Sequence, residues 1–136
     1  TEQLQRNLGG NQTLARTAVE GFMEAAVRSV PGGKQTSFLA VDAPSLVLAD
    51  VRGAAVGLAN AFVEPVTAGG GSLVDASIAA LSRHRGAVDA MFGTGDIRST
   101  TLCTTAADEQ LGSLAPARVK DLDALVGHVV ATAFPG

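Results

Sequence analysis

Thr36-Ser37-Phe38-Leu39-Ala40-Val41 and Leu46-Val47-Leu48-Ala49-Asp50-Val51 are the stretches on which the fold turns. Both are short runs rich in Val, Leu and Phe, and Asp42-Ala43-Pro44-Ser45 separates them. They read as two strands of a hairpin with a slightly long loop, the second closing at a turn, Arg52-Gly53. Nearly every side chain from Leu46 to Ala49 is apolar, so both faces of that strand are expected to be covered, as in a central strand backed by helices.

Before the hairpin, Leu14, Ala18, Phe22, Ala26 and Val30 recur every four residues, with Ala15, Val19, Met23 and Val27 beside them. This spacing predicts an amphipathic helix over Asn11 to Val30, capped by Asn11 or Thr13 and stopped by Pro31-Gly32-Gly33. After the hairpin, Gly57 to Val66 favours neither helix nor strand and ends at Pro65 and the Gly69-Gly70-Gly71 run. A second helix is expected to begin at Ser72, with Asp75 completing a Ser-x-x-Asp capping box. Val74, Ile78, Leu81, Val88 and Phe92 would line one face, and Gly93 would cap the end. The β-branched run Arg98 to Thr104 predicts a third strand. A last helix carries Leu122, Leu125, Val126, Val129 and Val130, with Asp121 favouring its N-terminus and Pro135 ending the order.

The order helix, strand, strand, helix, strand, helix gives an α+β class. Without the last helix it is a ferredoxin-like β-α-β-β-α-β unit that lacks its first strand. That strand is central in the parent topology, so its absence is expected to leave interior sheet edges unpaired. Thr1-Glu2-Gln3-Leu4 has no initiator Met and no secretion-signal pattern, which points to a fragment.

Composition narrows the function. Hydrophobic residues make up 46% of the chain and charged ones 17%, a globular balance, and no apolar run approaches the ~20 residues that cross a bilayer. A soluble, cytoplasmic chain is expected, and a single cysteine, Cys103, excludes an internal disulfide. With His84 and His128 as the only histidines, Cys103 reads as inert rather than as a catalytic thiol. The formal net charge of −3 argues against a broadly electropositive nucleic-acid binder, so any RNA contact must be local. Tyr and Trp are absent, which leaves backbone contact rather than base stacking. Asp42 with Asp50, or Asp121 with Asp123, has no accompanying His or metal-ligand spacing, so neither a metal, a cofactor nor acid-base catalysis is supported.

Gly32-Gly33-Lys34-Gln35 is the sharpest local feature: the glycines let backbone approach an anion, Lys34 offers a charge and Gln35 an amide donor. Arg28 stands where a Walker A loop needs its first glycine, and Gln35 where it needs Ser or Thr. Thr36 and Ser37 could add hydroxyls to phosphate or 2′-hydroxyl oxygens. Arg83-His84-Arg85 reads as a small basic patch on a solvated helix face, and Ser72 as a cap rather than an anion ligand. Phe62 reads as a packing anchor.

Leu4-Gln5-Arg6-Asn7-Leu8-Gly9-Gly10, Val30-Pro31-Gly32-Gly33-Lys34-Gln35-Thr36-Ser37-Phe38, Pro44-Ser45-Leu46-Val47-Leu48-Ala49 and Gly57-Leu58-Ala59-Asn60-Ala61-Phe62-Val63-Glu64-Pro65-Val66 resemble, in order, segments of the CasC family. These are Cse-type, crRNA-binding backbone subunits of the type I-E CRISPR Cascade complex. The resemblance covers roughly residues 4 to 66 and loosens beyond Gly71. It implies a non-enzymatic, modified RNA-recognition-motif (RRM-like) domain of which residues 1–136 are the C-terminal part. The family's first strand, helical finger and thumb hairpin would lie before it. The resemblance also implies copies stacked along a guide RNA, gripping its sugar-phosphate backbone and leaving bases free for target DNA. Implied partners are the guide RNA, neighbouring copies and other Cascade subunits, with no membrane. Gly32, Gly33, Lys34, Gln35, Thr36 and Ser37 are the expected RNA-binding residues. The rival class is a nucleotide-binding or small-molecule enzyme of ferredoxin-like fold, which a missing phosphate motif and base disfavour.

Overall fold

A computed structural model describes residues 1–29 and 43–135. A short helix, α1 (Glu2–Asn7), leads through Gly9 and Gly10, both at positive φ, into α2 (Gln12–Arg28). Asn11 caps α2, its side-chain oxygen accepting from the Leu14 amide at 2.9 Å. Strand β1 (Leu46–Arg52) and strand β2 (Ile97–Thr104) flank α3 (Leu73–Phe92), and α4 (Leu122–Ala133) closes the order. A 3-10 turn at Ala59–Phe62 occupies the stretch whose pattern favoured neither helix nor strand.

The α+β class holds, with a two-stranded antiparallel sheet compatible with a ferredoxin-like or RRM-like fragment. One expected consequence is corrected. Leu46 pairs with Thr104 and Val51 with Ser99, so the two described strands close on each other and leave no vacant slot between them. A register shift falls between Val51 and Arg52. Among the described residues the other edge of β2 is met by one bridge, in which the Val119 amide donates to the Leu102 carbonyl at 2.8 Å. The expected strand Thr36–Val41 lies outside the described residues.

Alternation along the pleat sorts side chains to two faces. Val47, Ala49, Val51 and Cys103 pack on one side against Leu125, Val126, Val129, Val130 and Phe134, together with Ala15 of α2. Leu46, Leu48 and Leu102 pack on the other side against Ile78 of α3 and against Leu111 and Leu114. Every β1 residue is half-buried, consistent with the reading that both faces are covered. The inward face of α2 is Ala15, Val19 and Met23; the companion row is outside, with Leu14 and Phe22 exposed.

The caps follow the local chemistry. Ser72 Oγ accepts from the Asp75 amide at 3.2 Å, and Gly93, at φ 77°, ends α3 with its amide on the Asp89 carbonyl. Asp121 is the N-cap of α4 and accepts from the Ala124 amide at 2.8 Å. That bond, reinforced by Lys120, holds its carboxyl below the usual range.

Candidate nucleic-acid interface

All six expected RNA-contact residues, Gly32, Gly33, Lys34, Gln35, Thr36 and Ser37, lie outside the described residues, as does Asp42. What is described is how the chain is held on either side of them. Ser29 ends α2, its amide donating to the Ala25 carbonyl at 2.8 Å. At the far side, the Ser45 carbonyl accepts from Thr104 Oγ1 at 2.7 Å and from the Thr105 amide at 3.1 Å, which ties the start of β1 to the end of β2.

The arginines are arranged differently from the sequence expectation. Arg85 is not part of a solvated basic patch: it is 3% exposed and points under the sheet. Its Nη1 donates to Asp50 Oδ2 at 2.6 Å, its Nε to both oxygens of Asp89 at 2.8 and 2.9 Å, and its Nη2 to Thr100 Oγ1 at 3.3 Å. Thr100 Oγ1 in turn donates to Asp50 Oδ1 at 2.9 Å. Burial alone would disfavour the guanidinium charge; the bonds to Asp50 and Asp89 overcome it and raise the pKa above its ordinary value. Arg85 is thereby committed to holding α3 on the sheet, with Asp50 and Asp89 as its counter-ions. Arg83 stays exposed and His84 half-buried.

At the far end of the sheet Arg52 is also more than a turn residue. Its Nη2 and Nε donate to Asp96 Oδ1 and Oδ2 at 3.0 and 3.2 Å, and Asp96 Oδ2 also accepts from the Ala54 amide at 3.2 Å. The hydrogen bond from Arg52 holds the Asp96 carboxyl below the usual range. Sequence reasoning missed this pair because Arg52 and Asp96 are 44 residues apart and meet only when β1 and β2 align.

Among the described residues no group of three His, Cys, Asp or Glu side chains could hold a metal ion. Cys103 is half-buried on the α4 face, where burial and then the charge of Asp121 push its thiol pKa up. This is the environment of an inert thiol. Phe62 leans on α3 beside Leu73, Val74 and Ile78 yet remains 48% exposed, so it anchors its segment at a surface groove rather than in the core.

A family model described as CT1975-like protein matches residues 1–128. The chain belongs to this family of Cas proteins. The CT1975-like chain is also similar to a solved subunit titled "CRISPR RNA-guided surveillance complex, pre-nicking", at 29% identity and a TM-score of 0.80 over 98% of its length. It spans 35% of that subunit. No curated protein matches it significantly in sequence. These likenesses support a CRISPR-related role. No described helix is long and apolar enough to cross a membrane.

Proposed function

We propose that this chain is the C-terminal part of a modified RRM-like domain in a CasC (Cse-type) backbone subunit of a type I-E Cascade complex. The subunit is non-enzymatic, cytoplasmic and holds guide RNA by its sugar-phosphate backbone. The observation that carries the reading is the likeness, over 98% of the chain, to a subunit of an RNA-guided surveillance complex, joined to membership of a Cas family. Lys34 and Gln35 make the principal RNA contacts, Gly32 and Gly33 admit the phosphates closely, and Thr36 and Ser37 add hydroxyl donors. Neighbouring copies and other Cascade subunits are its protein partners, and target DNA is met through the guide.

The negative overall charge fits this mode, since a few placed cations can grip a backbone without a basic surface. The test is Lys34→Ala in the complete encoded polypeptide. RNA binding is expected to weaken equally for unrelated sequences, with the salt slope shallower by about 0.7, the value for one lost single-strand phosphate contact. An unchanged slope removes Lys34 from the interface. Tight calorimetric binding of a nucleotide, with no RNA binding, would replace this reading by the enzyme reading.

A further inference from the structure

Where α1 passes the open end of the sheet, a concavity of about 390 Å³ is lined by Arg6, Arg52 and Arg98, with Gln3, Glu2 and Val51 among its other walls. The three arginines come from a helix, the end of β1 and the start of β2, so no local motif unites them. Arg52 is the built part of the site. Its side chain is 8% exposed, Asp96 clamps two of its nitrogens, and its third, Nη1, is buried with no acceptor among the described residues.

Arg6 and Arg98 are exposed, and among the described residues neither forms an ion pair; Arg6 is steadied by Gln3 Oε1 at 3.5 Å. Three guanidinium groups thus face two carboxylates, Glu2 and Asp96, and Asp96 is already committed to Arg52. In a chain with more acidic than basic residues, such a concentration of planar, permanently charged donors is a local anion receptor.

We infer that Arg6, Arg52 and Arg98 form a second anion site, which takes a backbone phosphodiester of single-stranded RNA. The inference rests on the guide-RNA reading above and adds a contact surface to it. Arg52 is the fixed wall, and Arg6 and Arg98 close on the non-bridging oxygens as two adjustable forks. Because the contact is made to the phosphodiester, it carries no base information.

The test titrates single-stranded RNA of random sequence against the complete encoded polypeptide over a range of salt concentrations. It compares wild type, the double variant Arg6→Gln/Arg98→Gln and, separately, Lys34→Ala. Both arginines are exposed, so the double variant is expected to fold. It should bind about 5-fold more weakly at ~0.1 M salt, with a slope shallower by about 0.7, the value for one lost single-strand phosphate contact. Arg6→Lys/Arg98→Lys should recover most of the slope, since the charges return. If the glutamine variant binds like wild type while Lys34→Ala loses affinity, the arginine site is overturned and the guide-RNA reading stands. Weaker binding at an unchanged slope also overturns the site, since it reports misfolding or a protein contact rather than phosphate. A wild-type polypeptide that binds no RNA overturns both.

Discussion

The two faces of the sheet are attached to their helices by different physics. On the α4 side, Leu125, Val129, Val130 and Phe134 meet Val47, Ala49 and Val51 in a packed apolar layer. On the α3 side the apolar contact is narrower, Ile78 against Leu102 and Leu111, and beyond it the buried Arg85 gathers the half-buried Asp50, Asp89 and Thr100 into an ionic cluster. The first attachment tolerates reshuffling among side chains of like volume, because dispersion and water exclusion are non-directional. The second is sensitive to the loss of Arg85 above all, because its removal leaves Asp50 and Asp89, both only partly solvated, facing each other without their shared cation.

That contrast can be broken most sharply at Arg85. Arg85→Ala leaves two half-buried carboxylates without their shared cation and is expected to destabilise the fold by about 3 kcal/mol in urea unfolding. The exposed neighbour Arg83→Ala should stay within about 0.5 kcal/mol. A loss under about 1 kcal/mol for Arg85→Ala would show that the apolar contacts of Ile78 hold α3 unaided. On the other face, Leu125→Ala removes a fully buried side chain and should cost about 3 kcal/mol, with a cavity left behind. Leu125→Met should cost less than about 1.5 kcal/mol, which no substitution of Arg85 is expected to match.

The smallest effect concerns acid. Asp96 titrates lower in the folded chain than unfolded, so its ionised form favours folding above the unfolded value of about 3.9, and that contribution fades as pH falls through the lower folded value. In carboxyl NMR titrations its midpoint should lie below that value in wild type and move up towards it in Arg52→Met. An unmoved midpoint would mean that the Ala54 amide, and not Arg52, sets it.

Much of this was legible in sequence wherever the deciding interaction is local. Asn11, Ser72 and Gly93 cap the helices they were expected to cap, because a cap needs only its own next turn. The strands at Leu46 and Arg98 were read within a residue or two of their ends. The inward face of α3 was read only in part, with Ile78 buried as expected and Leu81 and Val88 half-buried. Its buried positions run Ile78, Ser82, Arg85, while Val74 and Phe92, expected inside, are 43% and 70% exposed. Ser82 belongs there because its hydroxyl donates to the Leu111 carbonyl at 2.8 Å, a partner 29 residues away. Of the proposed RNA-contact residues, the glycine-lysine loop comes from pattern and resemblance in the sequence. It could not supply Arg6, Arg52 and Arg98, whose spacing carries no signal.

By itself the sequence determined the α+β class and the starts of the three longer helices, though not the short α1, since propensity, periodicity and capping act within a few residues. Only the tertiary structure decided that Leu46–Arg52 pairs with Ile97–Thr104, that Arg85 goes inside and that three scattered arginines share one hollow. Pairing and burial of charge depend on which distant groups arrive opposite one another, and a buried guanidinium is stable only where two carboxylates meet it.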